Sequence, residues 1–173
     1  MSVSQPAADG AVVVHGEDAE TLGDAARAAV GLLADARDTG GAVSAVRVTL
    51  AGGADGARPH RHGRSAELFF VLGGRAQMLV GDAVVLAGRG DLVVVPHGLP
   101  HAFGAAAGPG ADLLVVLVPG IDRFDYFRLL ERVALGEATG EQLTAAQERF
   151  DTWFLESTAW TRARARPGTK PPQ

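Results

Sequence analysis

The chain has 173 residues, a hydrophobic fraction of 47% and a net charge of −4. A chain of this length folds as one domain and buries about two thirds of its unfolded surface. The acidic balance disfavours a dedicated nucleic-acid binder, and the absence of cysteine excludes disulfides, thiolate ligands and thiol nucleophiles.

The first residues, Met1 to Gly10, are small and polar and read as frayed. They lack the basic and apolar regions of a signal peptide, and the apolar runs are too short to span a bilayer. A cytoplasmic protein without membrane partners is expected. Ala11 to Val14 reads as a short strand. From Thr21 to Leu33 the signals conflict. Ala25, Ala26, Ala28 and Ala29 favour helix, but Gly23 and Gly31 interrupt it. A short helix or irregular turn leading into a strand near Val30 to Ala34 satisfies both. Asp38-Thr39-Gly40-Gly41 is a hairpin-turn signature, and Val43 to Leu50 alternates as a half-buried strand.

Short strands follow at Glu67–Leu72, Ala76–Val80, Val84–Ala87, Leu92–Val95 and Leu113–Val118. Turns at Gly73-Gly74, Gly81-Asp82, Gly88-Arg89-Gly90 and Gly98-Leu99-Pro100 punctuate them. This spacing predicts an antiparallel β-barrel or sandwich. After Pro119-Gly120 the period lengthens. A helix is expected from Asp122, as N-cap, to Leu135. Thr139-x-x-Gln142 is a capping box for a second helix, with an apolar stripe of Leu143, Ala146, Phe150, Trp153 and Phe154. Both helices are expected to cover an open end or outer face of the barrel, or to join a dimer contact. The division is 1–41 for the N-terminal segment and first strands, 42–118 for the barrel, 119–158 for the helical extension and 159–173 for a solvated, disordered tail. The tail's Arg162, Arg164, Arg166 and Lys170 stand among prolines and a glycine.

Four of the five histidines lie in two clusters. Pro59 holds the chain extended into His60-Arg61-His62, and the period of two sends both imidazoles to one face. Glu67 follows on the next strand. Pro96-His97-Gly98-Leu99-Pro100-His101 supplies a third nitrogen after a turn that Gly98 permits. His60, His62, Glu67 and His101 therefore form a candidate metal site of three nitrogens and one carboxylate. Such a donor set suits one divalent transition metal: Fe, Mn, Ni, Cu or Zn. Glu67, Phe69 and Val71 share one strand face. Phe69, Val71, Met78 and Phe103 are expected to line a pocket for an apolar or aromatic ligand. His97 and His15 are expected at the surface. Arg58, Arg61 and Arg64 form a solvated rim, or a cationic mouth for an anionic or enolate substrate.

These motifs resemble those of the cupin superfamily. The first is matched by Gly56 (or Gly53), His60, His62, Glu67 and Gly74 or Gly73. The second, glycine-x5-proline-x-glycine-x2-histidine, is matched by Gly90, Pro96, Gly98 and His101, with Ala105 where asparagine is usual. The resemblance implies an all-β jelly-roll (double-stranded β-helix) barrel with two C-terminal helices. It also implies metal ligation by His60, His62, Glu67 and His101, and homodimers paired through sheet surfaces. The run Pro119-Gly-x-Asp-Arg-Phe-x-Tyr-Phe-Arg128, with Trp153-Phe154, resembles single-domain cupins described as quercetin dioxygenase-like. That resemblance implies a metal-dependent oxygenase acting on a small enol or hydroxylated aromatic, with Glu67 as ligand or proton acceptor. A redox-neutral isomerase, cyclase or decarboxylase and a non-catalytic small-molecule binder are the alternatives.

Overall fold

The structure, a computed structural model, describes residues 5–6 and 10–165. The frayed segment expected at Met1–Gly10 falls almost wholly outside them, as does the end of the chain beyond 165. A short pair, β1 (Gln5–Pro6) and β2 (Val12–Val13), stands apart from a ten-stranded antiparallel sheet. The sheet contains β3 (Glu20–Asp24), β4 (Ala28–Ala34), β5 (Ser44–Leu50), β6 (His60–Arg61) and β7 (Ala66–Val80). It continues with β8 (Ala83–Gly88), β9 (Leu92–Val95), β10 (His101–Ala105), β11 (Ala111–Val118) and β12 (Trp153–Phe154). The spatial order is β12-β6-β10-β7-β11-β5-β4-β3, with β8 and β9 also pairing to β7. This is the jelly-roll, cupin-like sheet that the motifs imply.

Strand β7 rolls the sheet around its core. Its first half pairs with β11 and β9, and its second half with β10 and β8. The expected turn at Gly73-Gly74 is instead a bend inside this one strand. Gly74 has φ +68°, and a Cβ there would lie 2.1 Å from the Gly110 carbonyl oxygen. The register against β11 shifts at the same level, between Asp112 and Leu113. A glycine bulge therefore lets one strand serve both halves of the roll without leaving the ladder.

Alternation fills the interior. On β5, Val46, Val48 and Leu50 face inward; on β7, Phe69, Val71, Ala76 and Met78; on β11, Leu113 and Val115. Truncating a ring as fully enclosed as Phe69 costs about 3–5 kcal/mol, so this face sets the register of β7.

Several expectations are corrected. No helix occupies Thr21–Leu33: β3 and β4 form a hairpin. Helix propensity of the alanines yields there to pairing of β4 with β5, since propensity is a weak prior beside a completed ladder. Strand β10 carries no signal in the sequence, because Ala102, Gly104 and Ala105 are poor strand formers; its backbone joins β6 to β7 regardless. The first helix, α1 (Phe124–Ala134), is not capped by Asp122. Buried Asp35, from the loop after β4, accepts from the N–H groups of Arg123 (2.6 Å) and Phe124 (3.4 Å), while Asp122 accepts from the Arg37 N–H. Burial pushes the Asp35 carboxyl above its ordinary value despite those bonds.

The Thr139–Gln142 capping box does open α2 (Gly140–Ala145), but that helix is short. Trp153 and Phe154 lie on β12, paired to Arg61 and His60 of β6, rather than on a helical stripe. The expected tail begins in an ordered helix, α3 (Thr158–Arg164), whose Trp160 packs on Leu79 and Ala102. No helix among the described residues is long and apolar enough to cross a membrane.

Candidate metal centre

Pairing within the sheet brings the four expected ligands together. His60 lies on β6, directly opposite His101 on β10, and His62 follows β6 by one residue. Glu67 stands near the start of β7, opposite Val95 of β9 and Leu117 of β11. The Gly98 N–H donates to the His62 carbonyl (2.6 Å), so the turn before His101 is tied to the first pair. Gly98 has φ +80°, the left-handed conformation that glycine adopts without cost. One ligand-capable atom from each of His60, His62, Glu67 and His101 lies within 4.8 Å of the others, and all four residues are buried.

Each imidazole is oriented by its Nδ1. His60 donates to the Arg58 carbonyl (2.8 Å), His62 to the Asp151 carbonyl (2.6 Å) and His101 to the Leu99 carbonyl (2.9 Å). A carbonyl only accepts, so every Nδ1 carries its proton and every Nε2 is turned to the centre. Backbone partners of this kind fix the tautomer and ring angle of metal-binding histidines.

At the centre, Glu67 Oε2 lies 2.7 Å from His101 Nε2, 3.2 Å from His62 Nε2 and 3.9 Å from His60 Nε2. His62 and His101 thus stand between two acceptors, a carbonyl and a carboxylate. A cation placed between the Nε2 atoms and the carboxylate would satisfy both. The donor set fits a divalent transition ion: three neutral imidazoles and one carboxylate leave it a net charge of about +1. Burial, reinforced by His101, holds His60 well below the ordinary 6.5, so its Nε2 offers a free lone pair. Burial opposes the charge of Glu67, but His62 and His101 outweigh it and hold its carboxyl well below 4.5.

A cavity of about 510 Å³ opens on this cluster. Val48, Leu50, Phe103, Phe127, Leu130 and Phe154 form much of its wall, and His60 and Glu67 reach it from the barrel floor. Of the expected lining residues, Phe103 is on the wall. Phe69, Val71 and Met78 face inward but are enclosed in the core beneath, outside that lining. Phe69 instead supports the site: its ring packs 6.1 Å from that of His101 and 5.3 Å from that of Phe103. Helix α1 does shape the pocket, through Phe127, Leu130 and Ala134.

His97 and His15 are exposed, as expected. Of the three flanking arginines, Arg58 lines the cavity with its guanidinium 3.6 Å above the Phe154 ring. Arg61 is exposed, and Arg64 reaches Asp151 at 3.8 Å from the surface.

Two supporting residues had no individual signal in the sequence. Asp151, buried and with φ 48°, accepts from the Gly63 (2.9 Å) and Arg64 (2.8 Å) N–H groups while its carbonyl holds His62. Arg123, 5% exposed, sits just before α1 with Nη1 3.7 Å from Glu67 Oε1. Its motif was legible, but its approach to Glu67 depends on where α1 crosses the barrel.

The cupin domain family matches residues 46–119. Solved structures share the fold at low identity. A predicted oxalate decarboxylase from Thermotoga maritima aligns with TM-score 0.55 and 16% identity, over 62% of this chain and 98% of that one. A single-residue variant of the oxalate decarboxylase of Bacillus subtilis gives TM-score 0.55 and 20% identity, over 82% of this chain and 41% of that one. An RmlC-like cupin from Shewanella frigidimarina gives 0.52 and 21%, over 65% and 92%. No curated protein matches the chain. The chain has the cupin-superfamily fold, with a buried cluster able to chelate a divalent metal.

Proposed function

We propose that this protein is a metal-dependent oxygenase acting on a small enol or hydroxylated aromatic substrate. The observation that carries the reading is a buried three-histidine, one-glutamate cluster at the floor of a largely apolar cavity of about 510 Å³. A divalent transition ion bound by these four residues would supply the redox chemistry between a chelating substrate and dioxygen. His60, His62 and His101 would hold the ion, with their Nδ1 protons anchored on backbone carbonyls. Glu67, kept ionised, serves as fourth ligand or accepts the substrate hydroxyl proton at a carboxylate oxygen. The walls from β5 and α1 seat the apolar body of the substrate and exclude water from the cluster. The low identities to solved structures support a fold, not a reaction.

The test is dioxygen uptake by protein loaded with iron, manganese, nickel or copper, screened against flavonols, β-diketones and catechols. Uptake with one substrate class, lost in His101→Ala, is the expected result. Consumption of substrate without dioxygen uptake would replace this reading with the redox-neutral isomerase, cyclase or decarboxylase. Retention of ligand without turnover would leave a binding protein. A homodimer belongs to the same reading. Phe70, Leu72, Leu92 and Val94 are 40–57% exposed on adjoining strands of one outer sheet face, an apolar surface suited to a second copy. Sedimentation equilibrium tests it.

A further inference from the structure

Arg123 is a buried cation with too few partners. Its side chain is 6% exposed. Its Nη2 donates to Thr152 Oγ1 at 3.3 Å, and its Nε has no hydrogen-bond partner among the described residues. The guanidinium lies 4.8 Å from the Tyr126 ring centroid and 5.4 Å from that of Phe127, contacts that soften the burial of a cation without pairing it. Among the described residues Glu67 is the one carboxylate within ion-pair range, and at 3.7 Å its approach is too long for a hydrogen bond. Buried charges are costly unless paired and hydrogen-bonded.

That shortfall grows when the cluster holds its ion. Glu67 then shares its charge with the metal, and a divalent ion, Glu67 and Arg123 together carry roughly +2. Arg123 lines the same cavity as His60 and Glu67, and Leu22, Val30, Val48 and Leu130 are among its apolar lining residues. The pocket therefore combines a cationic end beside the metal ligands with an apolar body.

We propose that Arg123 is an anion subsite that recognises a carboxylate on the substrate, so that the natural substrate is a small apolar or aromatic carboxylate. The planar fork of a guanidinium matches a carboxylate, whereas a neutral isostere leaves the buried cation unpaired. The inference rests on reading this cavity as the substrate pocket, but not on oxygen chemistry. Arg58 does not serve the same role, since it is exposed and its guanidinium is stacked on Phe154.

The test uses zinc-loaded protein, which is redox-silent, and compares 3-phenylpropanoate with 3-phenylpropanamide by isothermal titration calorimetry. Wild type is expected to bind the carboxylate at least about tenfold more tightly than the amide. Arg123→Met should abolish the preference while leaving amide affinity within about twofold, and Arg123→Lys should retain part of it. Zinc content is measured in every sample by elemental analysis. A preference that survives in Arg123→Met assigns the anion to the metal and overturns the proposal. So does a wild type that fails to distinguish the probes. Loss of zinc in both Arg123 variants would make Arg123 a support for Glu67 and overturn it equally. Because no dioxygen is involved, failure of the oxygenase reading leaves these outcomes unaffected.

Discussion

Replacing Arg164 with alanine tests whether the last helix belongs to the barrel. Arg164 Nε donates to Asp55 Oδ1 (2.9 Å), Nη1 to Gln77 Oε1 (3.1 Å) and the Ala105 carbonyl (2.8 Å), and Nη2 to the Gly53 carbonyl (2.8 Å). Its side chain is only 16% exposed. A Cβ on Gly104 would lie 3.0 Å from the guanidinium carbon, so the fork crosses the one residue of β10 that leaves it room. Through Gly53 and Asp55 it also fixes the loop that supplies Asp55, Gly56 and Ala57 to the cavity. Hydrogen bonds to a charged group contribute about 1.5–3 kcal/mol each, but they are not additive and the freed acceptors regain some water. The net cost of Arg164→Ala is therefore about 2–4 kcal/mol, less than the sum of four separate bonds. For a chain of this size that lowers Tm by about 5–12 °C, read by calorimetry. Arg164→Lys should recover less than half, because an ammonium cannot hold the fork. Alanine and lysine variants that both melt within about 1 °C of wild type would show that Arg164 does not tie α3 to the barrel.

Three further outcomes are expected. Glu20, on β3, accepts from Arg128 Nε (3.0 Å) and Nη2 (2.7 Å), and this pair lowers the Glu20 carboxyl below its ordinary 4.5. A lowered carboxyl contributes stability above its unfolded value and loses it as pH falls through the folded one. Glu20→Gln should therefore cost about 0.5–1 kcal/mol at pH 7, a difference that vanishes in denaturant titrations well below pH 4.5; a constant difference across that range would contradict the ion pair. Val48→Phe places a larger side chain into the cavity, where overpacking is relieved by free space, so stability should change by less than about 1 kcal/mol. Zinc content should be unchanged while binding of an apolar ligand falls at least about tenfold; unchanged binding would move the ligand elsewhere. Asp35→Ala removes the cap of α1 and should cost about 1–2 kcal/mol, measured by denaturant titration; a loss below about 0.3 kcal/mol would show that α1 needs no such cap.

What could be read from the sequence follows from how local each signal is. His60, His62, Glu67 and His101 were legible because proline, glycine and strand alternation fix their directions within a few residues. The strands Ser44–Leu50 and Leu92–Val95 were legible from alternation and apolar content. Gly73-Gly74 misled, since the same dipeptide serves a hairpin turn or a bulge, and only the partner strand decides between them. Trp153 and Phe154 fitted a helical stripe by spacing, yet the left-handed Asp151 turns the chain into an edge strand beside β6. Asp35, Asp151 and Arg123 act across the fold, on groups dozens of residues away, and no local pattern announces such partners. Alternation points Phe69, Val71 and Met78 inward, but burial depth on that face depends on what α1 and β5 contribute to the wall.

The most direct measurement is metal content by elemental analysis of protein purified without an affinity tag or added metal, alongside His62→Ala and His101→Ala. The wild type should hold about one equivalent of a divalent transition metal per chain. Both variants should lose it and keep the far-ultraviolet spectrum of the β-barrel. Equal metal content in the wild type and both variants would contradict the four-ligand centre.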